Sequence, residues 1–160
     1  MPPELMTLLR RDHADLELEL TALLDPAATI TELRTTLDGV RLGLTAHAEA
    51  EDIVLGRFES YAPLAGAIAQ ARAAHMAQES ALASLVTIPL GTAAWRDRVH
   101  HLRELVRCHS EDEERHLVPA LRQHPDYRKL AGDFATERLR QLAMLQPSVP
   151  VTVWQVAASA

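Results

Sequence analysis

Residues 46–55 read AHAEAEDIVL, and residues 108–118 read CHSEDEERHLV. Each stretch places a His four residues before a Glu, as His47 before Glu51 and His109 before Glu113. Residues four apart lie on one face of an α-helix, so the two side chains of each pair would point in one direction. Such a pair indicates either a local hydrogen bond on a wet helix surface or a metal site.

The composition favours an all-helical soluble domain. Of the 160 residues 48% are hydrophobic and 24% are charged, whereas aromatic residues make up only 4%. Ala and Leu are abundant and Gly is scarce, which suits helices better than strands. The length fits one domain with a substantial core.

The charge and the termini exclude several classes of partner. A formal net charge of −6 disfavours binding to nucleic acid or to an anionic membrane. The single Cys excludes an intrachain disulfide framework. No apolar run has the length of a membrane span, and the N-terminal sequence lacks the pattern of a signal peptide. We therefore expect a cytoplasmic protein that uses neither nucleic acid nor a membrane as a partner.

Hydrophobic periodicity divides the chain into helices that end where Pro, Gly and small polar residues cluster. It predicts four long helices, at about residues 3–24, 30–59, 64–86 and 92–117, with Thr92 as the cap of the fourth. A shorter helix is predicted over residues 127–145. The last stretch, PSVPVTVWQVAASA, suits an extended strand that packs on its own helices or on a second subunit. We expect an up-down-up-down four-helix bundle with an additional C-terminal helix and an extended tail.

One His falls on each of the four long helices, at His13, His47, His75 and His109. The midpoints between successive members are positions 30, 61 and 92, which lie in or near the predicted breaks. In an antiparallel bundle, residues equidistant from a turn lie at the same height. Each His also interrupts an apolar row of its helix. The sequence therefore predicts one inward-facing layer of four imidazoles.

A Glu follows each of these four His residues by four positions: Glu17, Glu51, Glu79 and Glu113. Burying so many carboxylates and imidazoles is unfavourable unless a cation neutralises them. Imidazole nitrogen and carboxylate oxygen together suit iron, manganese or zinc. The alternative is a structural polar layer without metal, which explains one such pair more easily than four.

The remaining histidines show that the His-x-x-x-Glu spacing can occur on a face of the helix that is predicted to be exposed. His100 also precedes a Glu by four residues, yet it lies about 180° around the helix from His109 and is predicted to face water. His101 and His124 are interpreted as surface residues. His116 follows His109 by seven residues and shares its face, so it is a possible additional ligand.

With these residues in place, the chain resembles the hemerythrin-like family, also called the HHE cation-binding family. The shared pattern is a His on the first and third helices and His-x-x-x-Glu on the second and fourth, across roughly residues 5–120. The resemblance implies a di-iron centre bridged by two carboxylates and often by an oxo or hydroxo group. Its metal ligands would be His13, His47, Glu51, His75, His109 and Glu113.

The resemblance and the helix pattern together predict a division of the chain. Residues 1–125 would form the four-helix metal-binding domain, and residues 126–160 would form a C-terminal helix and tail that pack on the bundle or join two copies as a homodimer. Ferritin-like bundles remain a distant alternative, because their Glu-x-x-His motif occurs once, from Glu113 to His116.

The chain departs from oxygen-carrying hemerythrins at two positions. Those proteins have a second His on the third helix, where this chain has Glu79, and an Asp five residues after the fourth-helix His, where this chain has Glu114. These differences argue against reversible oxygen carriage. Glu79 is interpreted as an additional ligand or as a group beside the metals, and Glu17 as a weaker candidate for the same roles.

Three functions follow from this reading. The first is a di-iron enzyme that reacts with hydrogen peroxide or dioxygen, with catalase-like or other peroxide-consuming activity. The second is a non-enzymatic protein that binds or senses oxygen, nitric oxide or iron. The third is a metal-free interaction bundle, which the number of inward-facing carboxylates disfavours.

Overall fold

The computed structural model describes residues 4–146, and all of its regular elements are helical. The elements are α1 (Leu5–Ala22), α2 (Ile30–Leu55), α3 (Ala62–Val86), α4 (Ala93–Asp112), a short α5 (Val118–Leu121) and α6 (Tyr127–Leu145). A 3₁₀ turn, Gly56–Phe58, follows α2, and a π-helical segment, Glu113–Leu117, joins α4 to α5. This confirms the all-α prediction with five long helices at the expected places. None of the helices in this part of the chain is long and apolar enough to cross a bilayer.

Side-chain caps fix the starts of α2 and α4. The Thr29 hydroxyl accepts a hydrogen bond from the Glu32 backbone N–H at 3.2 Å, and the Glu32 carboxylate accepts one from the Thr29 N–H at 2.7 Å. This reciprocal pair is a capping box. The Thr92 hydroxyl accepts from the Trp95 N–H at 3.2 Å, which confirms the predicted cap of the fourth helix.

The end of the fourth predicted helix differs from a regular α-helix. The Val118 N–H bonds to the Glu113 carbonyl, five residues back, which is the π-helical pattern. Pro119 has no N–H to offer the Arg115 carbonyl four residues earlier, so it disfavours a regular helix here. The wider turn leaves both Glu113 and Leu117 buried. The segment therefore directs Glu113 into the interior of the protein.

Helices α1 to α4 contact one another around a shared interior. Contacts join α1 to α2, α2 to α3, α3 to α4 and α4 to α1, and α6 packs on α2 and α1. One apolar cluster contains Leu9, Val54, Ile68 and Leu117 together with Phe134 of α6. The beginning of α1 thus packs with the end of α2 and the beginning of α3.

A second apolar cluster fills the other end of the interior. It contains Leu16 of α1, Leu44 of α2, Leu82 of α3 and Val106 of α4. On α1, α2 and α3 the predicted His lies between a residue of one cluster and a residue of the other, and His109 lies between Val106 of α4 and Leu117 of the following π-helical segment. A polar layer therefore separates two apolar cores.

The predicted tail, residues 147–160, lies outside the described residues. Its extended conformation and its packing on the same chain or on a second copy stay predictions, and so does the homodimer. Within the described part, Leu130, Ala131 and Phe134 of α6 belong to the first apolar cluster.

Candidate metal centre

The structure brings the six predicted ligands together in the polar layer. The exposed fraction is 7% for His13, 1% for His47, 5% for His75, 6% for His109, 2% for Glu51 and 1% for Glu113. Neighbouring imidazole rings have centroid distances of 5.2 Å from His13 to His47, 6.3 Å from His47 to His75 and 4.6 Å from His75 to His109. This confirms the prediction that four helices contribute imidazoles to one buried layer.

The Nε2 atoms of the four imidazoles face the two carboxylates. His13 Nε2 lies 3.1 Å from Glu113 Oε2, and His109 Nε2 lies 3.3 Å from Glu113 Oε1. Glu51 Oε2 lies 3.3 Å from His75 Nε2 and 3.6 Å from His47 Nε2.

These donor atoms form two overlapping groups in which all of the atoms lie within 4.8 Å of one another. One group is His47, Glu51, His75 and His109, and the other is His13, His47 and Glu113. Each group contains enough nitrogen and oxygen donors to hold a metal ion.

Most of the inward-facing atoms have no hydrogen-bond partner in the described part of the protein. Both carboxylate oxygens of Glu51 and of Glu113, and the Nε2 atoms of His13 and His47, are buried and unpaired. The short His13–Glu113 approach therefore brings the atoms together without the alignment of a hydrogen bond. Each buried unpaired polar group costs about 1–3 kcal/mol. Cations bound beside the two inner carboxylates would give these atoms partners.

Outward-facing carboxylates hold three of the four imidazoles in orientation. The Nδ1 atom lies 3.2 Å from Glu114 in His13, 3.3 Å from Asp12 in His47 and 2.8 Å from Asp52 in His75. A carboxylate that accepts from Nδ1 fixes the tautomer in which Nε2 is free to bind a metal. In each case the carboxylate comes from a different helical segment than the His it contacts.

An arginine accompanies each of these outer carboxylates. Arg10 donates to Glu114 at 2.8 Å, Arg138 of α6 pairs with Asp12, and Arg72 lies 3.9 Å from Asp52. Asp12 and Glu114 are thereby paired with arginines, whereas Arg72 is shared between Asp52 and Glu59. No Lys or Arg of residues 4–146 forms such a pair with the inner carboxylates, which are left with imidazoles alone.

Burial and close approach shift the pKa values of the inner groups in opposite directions. Burial, together with the charge of Glu51, raises the pKa of Glu113 well above its ordinary value. Burial also opposes ionisation of Glu51, but the neighbouring Glu113, His109 and His75 outweigh it and lower the pKa of Glu51. Without a cation, a proton on Glu113 therefore relieves the repulsion between the two carboxylates.

The imidazoles differ among themselves as well. Burial lowers the pKa of His13 to about 4, so its ring is neutral at pH 7. Burial acts in the same direction on His75, but Asp52 and Glu51 outweigh it and raise the pKa of His75 to about 9. A metal ion that binds His75 must therefore displace a proton.

Sequence reasoning missed the outer carboxylates and the part played by α6. Asp12, Asp52 and Glu114 each adjoin a member of the cluster in the sequence, and that adjacency was the available signal. The Phe134 ring of α6 stands edge to face with the His47 ring at a centroid distance of 5.8 Å. The fifth helix thus covers one side of the candidate centre.

The three additional candidates lie away from the cluster. Glu79 is exposed, whereas its neighbour Gln78 is 1% exposed, so the buried face of α3 runs through Gln78. Glu17 is half-buried and pairs with Arg103. His116 is exposed and its Nδ1 lies 2.8 Å from Asp112.

Two of the three predicted surface histidines, His100 and His101, are exposed, whereas His124 is half-buried against the rings of Phe58 and Tyr61. His100 is exposed, as its position opposite His109 predicted. The His-x-x-x-Glu spacing is therefore not sufficient by itself, and the direction of the side chains on the helix decides.

Comparison with known proteins does not assign a family. No family model, curated protein or solved structure matches this chain. The likeness to hemerythrin-like proteins therefore rests on the motif residues and on the buried cluster that they form.

Proposed function

We propose that this protein is a hemerythrin-like four-helix bundle that binds two iron ions and reacts with hydrogen peroxide or dioxygen. The observation that carries the proposal is the set of six buried, unpaired atoms of His13, His47, Glu51 and Glu113, which lie beside the Nε2 atoms of His75 and His109. His13, His47, Glu51, His75, His109 and Glu113 are the proposed ligands.

Two ions fit the donor set better than one. The donors divide into a group of four around Glu51 and a group of three around Glu113, and these groups share His47. Two carboxylates with four available oxygens can each contact both ions, which suits a bridged pair. Manganese and zinc accept similar ligands, so the metal identity is part of the proposal.

The chain itself supplies orientation, a dry environment and a buried carboxyl. Asp12, Asp52 and Glu114 orient three imidazoles through Nδ1. The two apolar clusters exclude water from above and below the layer. Burial raises the pKa of Glu113, which favours its neutral form in the metal-free protein, and a cation bound there would favour the carboxylate. Iron bound there would exchange the electrons that a reaction with peroxide or dioxygen requires.

Iron loading tests this proposal directly. Protein loaded anaerobically with ferrous iron should hold two iron ions per chain and should develop the near-ultraviolet absorption of ferric iron when it is exposed to air. His75→Ala and Glu113→Ala should lose the iron, whereas the surface variant His100→Ala should keep it. Metal analysis that found no iron in the loaded wild type would reject the proposal, and preferential retention of manganese or zinc would reject iron.

Turnover distinguishes the enzyme from a binding protein. In a catalase-like reaction, two molecules of hydrogen peroxide give one of dioxygen and two of water, so added peroxide should release oxygen in a 2:1 ratio. Consumption of peroxide without oxygen would indicate that an external reductant is required. A reversible spectral change without any consumption would favour the non-enzymatic alternative, an oxygen, nitric oxide or iron sensor.

A further inference from the structure

Gln78 is a buried polar side chain that the proposed ligand set does not use. It lies on α3 one turn after His75 and is 1% exposed. Neither its Nε2 nor its Oε1 has a hydrogen-bond partner in the described part of the protein. A buried amide with both ends unpaired is unfavourable and is rare in folded proteins. Its persistence calls for a partner that binds between the helices.

A small pocket lies beside this amide. Its volume is about 90 Å³, and it is lined by α2 and α3, including Thr45, Ala48, Asp52, His75 and Gln78. A pocket of this size admits a few molecules as small as water. It reaches His75, one of the proposed ligands, so a molecule held there would adjoin the candidate metal centre.

The pocket connects to the protein surface. A larger groove of about 660 Å³ on the same side of the molecule shares Thr45, Glu79 and Leu82 with it. Glu79 is exposed and therefore lies at the entrance rather than at the metal centre. The groove and the pocket form one route from solvent to His75.

The chemistry of the amide selects among the small molecules that could use this route. A Gln amide donates through Nε2 and accepts through Oε1. Hydrogen peroxide also donates and accepts, so it can satisfy both atoms, whereas dioxygen and nitric oxide have no hydrogen to give to Oε1. A site built to hydrogen-bond its substrate discriminates strongly against analogues that lack the matching group.

We infer that the α2–α3 pocket is the entry and binding site for hydrogen peroxide, and that the Gln78 amide is the residue that selects it over dioxygen. This inference rests on the proposed function, because it assigns the substrate of that same centre. Gln78 binds the substrate and does not contact the metal ions. His75 then forms the boundary between the pocket and the centre.

The first test measures binding in the metal-free protein. Two-dimensional ¹⁵N–¹H spectra identify the Gln78 side-chain amide as the signal that Gln78→Leu removes. Titration with hydrogen peroxide should shift this signal in a saturable way. The amide of Gln141, which is also buried but is already bonded to Glu137 at 2.7 Å, should not shift. No shift at Gln78, or equal shifts at both amides, would overturn the inference.

The second test measures discrimination in the iron-loaded protein. Gln78→Leu should keep two iron ions and lower kcat/KM for hydrogen peroxide by about tenfold or more, while the rate of ferrous oxidation by air stays the same. Gln141→Leu should leave both rates unchanged. Equal loss of both rates in Gln78→Leu, or no loss of either, would contradict the assignment.

The route itself is tested by filling it. Ala48→Phe should obstruct the pocket and slow peroxide consumption without loss of iron, whereas Ala73→Phe on the exposed side of α3 should not. Unchanged consumption in Ala48→Phe would overturn the route. If the wild type binds no iron, the proposed function fails, and the spectra of the metal-free protein still decide whether the pocket takes peroxide.

Discussion

At the scale of single residues, the candidate centre contains an inner and an outer set of carboxylates, and the two sets differ in their partners. The outer carboxylates Asp12, Asp52 and Glu114 each have an arginine close by. The inner carboxylates Glu51 and Glu113 lie beside imidazoles, and their oxygens have no hydrogen-bond partner among the described residues. The outer set is complete without a metal, and the inner set is not. Changes to the two sets should therefore have different consequences.

Asp12→Asn should weaken metal binding without removing a ligand. The amide keeps the shape of Asp12 but loses the charge that orients His47 through Nδ1 and that pairs with Arg138. Changes to such supporting partners typically cost about 10–100-fold in metal affinity, and competition with a chelator would measure this. Asp15→Asn, at an exposed position on the same helix, is the matched control. Equal affinities in the two variants would show that Asp12 does not orient the site.

Glu113→Gln should separate stability from metal binding. Burial and the charge of Glu51 raise the pKa of Glu113 well above its ordinary value, so the folded metal-free protein favours the neutral carboxyl, which an amide resembles. Because Gln is neutral in both the folded and the unfolded chain, the metal-free variant should be at least as stable as the wild type at pH 7, where ionisation of Glu113 in the unfolded chain lowers the stability of the wild type. The same variant should lose most of its affinity for iron, since a neutral amide is a weaker metal ligand than a carboxylate.

The stability of the metal-free protein should depend on pH through Glu113, and the direction follows from its raised pKa. A carboxyl whose pKa is raised on folding stabilises the metal-free protein fully below its unfolded pKa, and this stability is lost as the pH rises through the folded value. Glu113→Gln should remove that part of the pH dependence, which urea unfolding of metal-free protein at a series of pH values would show. An unchanged profile would mean that Glu113 ionises normally.

At the scale of elements, two irregular features position the centre. The π-helical segment Glu113–Leu117 lets Glu113 point inward while Glu114 reaches His13 of α1. Helix α6 covers α1 and α2 and places Phe134 against His47. Neither feature belongs to a regular bundle of four helices. Both bring side chains to the layer from beyond residue 112.

Phe134→Ala tests whether α6 unfolds together with the other helices. Removal of a buried aromatic ring from a core typically lowers the free energy of unfolding by about 3–5 kcal/mol. If α6 is part of one cooperative unit, urea unfolding should stay a single transition with this reduced stability. Leu139→Ala, at a position of α6 that is 66% exposed, should change it by less than about 0.5 kcal/mol.

A different result would support the predicted division of the chain. Loss of α6 in a separate, early transition, with residues 1–125 still folded, would agree with a four-helix domain and a detachable C-terminal part. Circular dichroism would follow the unfolding of the helices as a whole. In proton spectra, the shift that the Phe134 ring current causes in the His47 signals would follow the loss of α6.

At the scale of the whole molecule, the polar layer lies between two apolar clusters that pack without it. The hydrophobic contacts above and below the layer should fold the chain even when the inner carboxylates have no cation. Metal binding then adds stability to an existing fold. This differs from small metal-dependent domains, which are unfolded without their ion.

Iron loading should raise the free energy of unfolding and leave the helix content unchanged. Each ion that binds only the folded state adds about 4.1 kcal/mol when its free concentration is 1,000 times its dissociation constant. Anaerobic urea unfolding followed by circular dichroism, with and without ferrous iron, would measure the gain. His75→Ala should fold and show little gain, whereas His100→Ala should behave as the wild type. A metal-free protein without helical signal would contradict the expectation.

The sequence by itself determined the helices and the layer. Hydrophobic periodicity and turn residues predicted the cap at Thr92 and the bounds of α6, Tyr127–Leu145, because these signals are local. The common height of His13, His47, His75 and His109 followed from their spacing about the turns, since antiparallel helices of fixed rise align equidistant residues.

Only the tertiary structure decided which side chains complete the site. Adjacent residues on a helix differ by about 100° in direction, so the approach of a neighbouring helix determines whether Gln78 or Glu79 is buried. In the same way, Asp12, Asp52 and Glu114 adjoin cluster residues in sequence but serve imidazoles on other segments. Periodicity fixes a face to within a residue or two, whereas hydrogen bonds between helices require the packed arrangement.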